Sequence, residues 1–169
     1  PFGREGTILV TSAGHMPGKA GSMSIQNFDA LVAYAGSRPK QTVVVAAANN
    51  LHALQAVHSA AQKGHADYLL TGPKKEILAK AAEAGLHLDK EAVIDAGSDV
   101  EAAEKAWALV RQGAGGFLMK GGLGTATLLK AVLNREHGLR GSGVMSHVMV
   151  HEVPNYQKVI AVTDGAMVP

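Results

Sequence analysis

The hydrophobic positions of the chain switch repeatedly between two periods. Ile25, Phe28, Leu31 and Val32 recur at helical spacing and predict a helix from Ile25 to Ser37. "TVVVAAA", Thr42 to Ala48, is a short β-branched run and predicts a buried strand. Asn49 or Asn50 can cap the helix that follows, and Gly64 can end it. "ADYLLTG" predicts a second strand. Gly72-Pro73 then opens a helix with proline at its first position, ending near Gly85. "EAVIDAG" predicts a third strand, and Ser98-Asp99-Val100-Glu101 is a capping-box signature for the helix that follows. In that helix Trp107 and Val110, at helical spacing, are expected in the core. "GFLMKG" predicts a fourth strand, and Thr125 to Glu136 its helix, with Leu128, Leu129, Val132 and Leu133 as the buried face.

After Gly143 the rhythm changes. "VMSHVMVHEV" and "KVIAVTD" are strand-like runs joined by "PNYQ", with Pro154 and Asn155 as turn formers. They predict a hairpin from about Val144 to Thr163. Parallel neighbours need a crossover, which a helix supplies, so the alternation predicts an α/β fold. Its sheet is mostly parallel with flanking helices, and it ends in a β-hairpin.

Composition narrows the class. The 169 residues suit one domain, and 47% hydrophobic content excludes a disordered chain. Only 4% are aromatic, so the core must be aliphatic and a base-stacking surface is disfavoured. Net charge is +2 with no basic block, so no nucleic-acid partner is expected. The absence of cysteine excludes disulfides, thiolate metal sites and a cysteine nucleophile, and fits a cytoplasmic location. No apolar run approaches membrane-spanning length, so no membrane partner is expected. In residues 1–22 the only apolar core is Ile8 to Val10, too short for a secretory signal. This stretch reads as a poorly ordered leader or linker. Met23 then opens the domain, residues 23–169.

The candidate chemistry lies in "LMKGGLGTATLLKAVLN", Leu118 to Asn134. This loop leaves a predicted strand and enters a predicted helix, where unpaired backbone N–H groups and the helix dipole favour an anion. Gly121, Gly122 and Gly124 carry no side chain that would hold an anion away. Thr125 can cap the helix or donate its hydroxyl. Lys130 lies about 7.5 Å up the helix axis, and its long stem can lean back toward the loop. The glycines serve equally well in a tight turn, with Lys130 a solvated lysine. The loop is not a Walker A motif, and Gly122-Leu123-Gly124 lacks the third glycine of a dinucleotide fingerprint.

Four blocks resemble the phosphate acetyl/butyryltransferase family, above all its phosphotransbutyrylase branch. They are "TVVVAAANNLHALQAV", "KGHADYLLTGPKKEI", "LMKGGLGTATLLKAVLNREHGLR" and "SHVMVHEVPNYQKVIAVTDGAMVP", in family order. The resemblance implies the reaction of acyl-CoA with phosphate to give acyl phosphate and CoA, the acyl group being butyryl or another short chain. It implies no metal or prosthetic cofactor, CoA and phosphate being substrates. It also implies an isocitrate/isopropylmalate dehydrogenase-like architecture and a homo-oligomer at full length. By the same resemblance Lys120, Gly121, Thr125 and Lys130 match family positions, Lys130 standing where relatives carry Arg or Lys; with Gly122 and Gly124 of the loop they make the expected substrate-binding set. Asn49-Asn50 departs from the acidic residue that relatives usually show. The family's chains continue beyond "VTDGAMVP", so the resemblance covers the first half only. The catalytic set is expected in the other half, and the chain alone is expected to be inactive.

Other chemistry is thinner. His147 and His151 would suit a metal on a helix, but on a strand they stand roughly 13 Å apart. His52, His58 and His65 read as helix-surface or helix-end residues. Asp164, at the end of the last strand, can face a cleft or cap a turn. Two alternatives stand beside the transferase: a non-catalytic remnant that binds CoA or phosphate, and an unrelated α/β dehydrogenase.

Overall fold

In a computed structural model, the structure describes residues 8–10, 25–134 and 148–163. The chain divides into two compact units. The first holds a five-stranded sheet with its helices, and the second holds one helix and a hairpin.

In the first unit β1 (Ile8–Val10) is followed by β2 (Gln41–Ala46), α2 (Leu51–Gln62), β3 (Ala66–Gly72) and α3 (Lys74–Glu83). Then come β4 (Val93–Asp95), α4 (Asp99–Arg111), β5 (Phe117–Lys120) and α5 (Thr125–Val132). The strand order is β1-β5-β2-β3-β4. β2 is parallel to both β3 and β5, and β3 is parallel to β4; β1 alone runs antiparallel, against β5. The mostly parallel α/β sheet read from the alternation is therefore present. β1 falls in the stretch read as a leader, to which the sequence reading gave no element.

Burial explains the sequence of the central strands. Val44, Val45 and Ala46 are fully buried, as expected of a strand covered on both faces. Val45 and Leu70 pack with Leu54 and Val57 of α2 and Ile77 and Ala81 of α3. α4 packs on β2 and β3 and against α5. Thr71, the buried polar residue among those described, has its hydroxyl within hydrogen-bond distance of the Val45 carbonyl (3.1 Å) and the Ala102 carbonyl (2.8 Å). It thereby ties β3 to both β2 and α4 without leaving a buried donor unpaired.

Local signals set most element ends. The side chains of Asn50 and Ser98 cap α2 and α4 by accepting from the Ala53 and Glu101 amides. Gly64 and Gly85, just past α2 and α3, take φ of +72° and +67°. Three expectations are corrected. Pro73 is the N-cap of α3 and not its first residue. The stretch "EAVIDAG" opens with a 3-10 turn, Lys90–Ala92, capped by Asp89, which leaves only Val93–Asp95 as strand. α5 ends at Val132; Leu133, expected in the buried face, is its C-cap and is exposed. Trp107 is half-buried, one turn before buried Val110.

In the second unit α1 (Phe28–Gly36) starts later than predicted, because Asn27 caps it by accepting from the Ala30 amide at 2.8 Å. β6 (Val148–His151) and β7 (Ile160–Thr163) form the antiparallel hairpin. The Phe28 amide donates to Glu152 Oε2 at 2.6 Å, which ties the start of α1 to the hairpin. None of the residues in α1, β6 or β7 is buried.

Candidate functional site

The strand order creates a distinctive place. From β2 the chain moves outward through β3 to β4, then returns to place β5 on the other side of β2. The connections leaving β2 and β5 therefore diverge at their carboxyl ends. In open α/β sheets that topological switch point is where ligands bind. The segments there are Ala47 to Asn50, after β2, and Gly121 to Gly124, after β5. The second is the glycine loop singled out in the sequence.

The glycines of the loop differ in how their amides are used. The Gly121 amide donates to the Ala46 carbonyl at 2.8 Å, and the Gly122 amide to the Ala47 carbonyl at 2.6 Å. Those two N–H groups extend the β2–β5 ladder and are not free for an anion. A Cβ on Gly121 would stand 2.2 Å from the Ala47 carbonyl oxygen, so this glycine is required by the close approach of two backbones. The amides of Leu123, Gly124, Thr125 and Ala126 have no partner among the described residues.

Gly124, and not Thr125, is the N-cap of α5, and it supplies no side-chain cap. The first turn of α5 thus presents unpaired donors at the positive end of a helix dipole. Lys120 is partly buried, and its ammonium donates to the carbonyls of Leu123 (3.1 Å) and Gly121 (3.4 Å). It steadies the loop from within and places a positive charge under it. Lys130 is exposed in the last turn of α5, with no hydrogen bond or ion pair among the described residues.

The other wall holds groups that the sequence reading did not assign. Lys80 of α3 donates to the Asn49 carbonyl oxygen at 2.8 Å and pairs with Glu76 at 2.8 Å. Asn49 Nδ2 donates to Glu76 Oε2 at 3.3 Å. The Lys80 ammonium, and after it the Asn49 amide, hold the Glu76 carboxyl below its usual range. The signal available in the sequence was Glu76 and Lys80 at i,i+4, which places them on one helix face.

No cluster of three or more His, Asp or Glu that could hold a metal occurs among the described residues. His151 lies on β6, while His147 and Asp164 lie outside the described residues. His52 is exposed on α2, and His58 sits beside Gln62 at 3.3 Å. No helix among the described residues is long and apolar enough to cross a membrane.

Comparison with known proteins joins this geometry to a chemistry. No model of a protein family matches the chain. The chain is 35% identical over 142 residues to a phosphate butyryltransferase of Clostridium acetobutylicum, covering 84% of this chain and 47% of that protein. It is 36% identical over 137 residues to a probable phosphate butyryltransferase of Bacillus subtilis, covering 81% and 45%. A phosphate acetyltransferase of Rhizobium meliloti is 34% identical over 140 residues, covering 83% and 44%. Among solved structures, a branched-chain phosphotransacylase from Enterococcus faecalis superposes with a TM-score of 0.58 at 28% identity. That match covers 75% of this chain and 44% of the other. The chain spans about half the length of the curated relatives it matches. By sequence and by fold, the part of those proteins that the chain spans is similar to it, and all of those named are phosphate butyryltransferases, phosphate acetyltransferases or phosphotransacylases.

Proposed function

We propose that the chain is part of a phosphate acyltransferase, which converts acyl-CoA and phosphate to acyl phosphate and CoA. A short acyl group such as butyryl is the expected substrate. The observation that carries this reading is a coincidence of place. The sequence match to phosphate butyryltransferases extends over most of the chain, and the glycine loop lies at the switch point of the sheet. In the reaction a phosphate oxygen attacks the thioester carbonyl carbon, a C–O bond forms, the C–S bond breaks, and the leaving thiolate takes up a proton. Neither a metal nor a prosthetic group is needed for that balance.

The donors at the start of α5, with Lys120 below and Lys130 beyond, would hold and orient phosphate or a phosphate of CoA. Positioning and charge stabilisation are the main resources for such a step. Asp164 stays a candidate for a role near the thioester. An isocitrate/isopropylmalate dehydrogenase-like architecture, homo-oligomeric assembly and a cytoplasmic setting complete the proposal for the whole enzyme. The dehydrogenase alternative is not favoured, since the relatives are transferases and the loop lacks the third fingerprint glycine.

The test is thiol release from butyryl-CoA with and without phosphate. The chain alone, half the length of its relatives, is expected to show little or none, and the product of the complete reading frame to show phosphate-dependent turnover. Binding of CoA without turnover by that complete product would favour the non-catalytic alternative. Turnover by the chain alone at an ordinary enzymatic rate would show that the residues it contains are sufficient.

A further inference from the structure

The two loops at the switch point are joined by hydrogen bonds that begin on α3. Lys80 holds the Asn49 backbone carbonyl at 2.8 Å, and Glu76 accepts from the Asn49 side-chain amide at 3.3 Å. Asn49 is therefore clamped at both its backbone and its side chain. Two and three residues before it, the carbonyls of Ala47 and Ala46 accept the amides of Gly122 and Gly121. The contact path runs from α3 through Asn49 and the end of β2 into the glycine loop.

The remaining side-chain polar atom of Asn49 breaks the usual rule. Its Oδ1 is buried and has no hydrogen-bond partner among the described residues. Buried acceptors without donors are destabilising, and native structures keep few of them. This one lies against the glycine loop: a Cβ placed on Gly122 would stand 3.0 Å from it. The carboxamide thus fills the space that the missing Gly122 side chain leaves. Glu76 fixes which way round it sits, because the amide end must face the carboxylate.

We propose that Asn49 is a positioning residue for the glycine loop. Its clamped carboxamide sets the place of Gly122 and so the aim of the Gly124, Thr125 and Ala126 amides at a bound phosphate group. This rests on the reading of the loop as a phosphate site. A carboxylate of the same shape would set two negative groups, its own and Glu76, beside a site for an anion. The neutral amide supports the loop without opposing the ligand.

Calorimetric titration of the whole 169-residue chain with inorganic phosphate tests this. Asn49→Ala is expected to weaken binding about tenfold, as loss of an oriented hydrogen-bonded support should. Asn49→Asp is expected to weaken it at least as much, because it keeps the shape and adds charge. Val57→Ala, on the buried face of α2 and two turns from its start, serves as a control for lost stability. It should lower the melting temperature and leave phosphate affinity unchanged. Affinity of both Asn49 variants within about twofold of wild type would overturn the positioning role alone. So would equal weakening in Val57→Ala. A wild-type chain that binds no phosphate would overturn the site reading and this inference together.

Discussion

Gly121 and Gly124 stand three positions apart and answer to different constraints. An alanine at 121 would drive its Cβ to 2.2 Å from the Ala47 carbonyl oxygen, just past β2, and 2.8 Å from that of Ala46, at its end. Gly121→Ala is therefore expected to destabilise the fold by about 1–3 kcal/mol, the usual scale for forced overpacking. Chemical denaturation measures it. At Gly124 the nearest atom to a new Cβ is Thr127 Oγ1 at 3.9 Å, so Gly124→Ala should cost much less. If Gly124 is open for a ligand, that methyl should lower phosphate affinity while stability is nearly kept. Lys130→Ala should weaken phosphate binding about two- to fivefold at low salt, as an exposed charge contributes little. Raising the salt should erase the difference, because screening acts fully at exposed sites. Unchanged affinity at low salt would remove Lys130 from the site. The candidate residues were legible because glycines and lysines near a strand–helix junction form a local pattern. The capture of the Gly121 and Gly122 amides by Ala46 and Ala47 was not, since it joins residues some 75 positions apart.

Helix starts, strand runs and the hairpin were legible for the same local reason. β3 occupies "ADYLLTG" as read, and Asn50 and Ser98 cap as read. What failed was decided by distant partners. β1 has three residues and exists through its pairing with β5 far along the chain. The strand order, with β5 between β1 and β2, leaves no periodic trace. The apolar positions of α1 recur at helical spacing, yet Phe28 and Val32 are 41% and 49% exposed. Nothing among the described residues of its unit buries them. The capping box of α4 is present in altered form: Ser98 accepts from the Glu101 amide, while Glu101 accepts from Gly97 and not from Ser98. Ser98→Ala should cost about 1 kcal/mol, read as a lower denaturation midpoint. Glu101 sits below its usual value because of the Lys105 ammonium and then the Gly97 amide. A carboxyl whose value is lowered by folding stabilises above its unfolded value and loses that contribution as pH falls through the folded one. The stability gap between wild type and Glu101→Gln should therefore be present at neutral pH and close in acid. A gap that persists unchanged in acid would contradict the pairing.

At the scale of the whole molecule, the proposal gives the first unit one wall of an anion site and draws its chemistry from the similar transferases. A bound phosphate is a poor nucleophile until it is aimed at a polarised carbonyl. Loss of that orientation alone forfeits several kcal/mol, each 1.36 kcal/mol being tenfold in rate. This is why binding is expected of the chain alone and turnover is not. The donors opening α5 at the switch point are proposed to receive a phosphate group. Titrating the isotopically labelled chain with inorganic phosphate, and following each backbone amide by nuclear magnetic resonance, tests it most directly. Saturable shifts are expected at Gly124, Thr125 and Ala126, smaller ones at Gly121 and Gly122, and little change at Gly64 or Gly85. Saturable shifts elsewhere with the α5 amides unmoved, or no saturable shift at all, would contradict it.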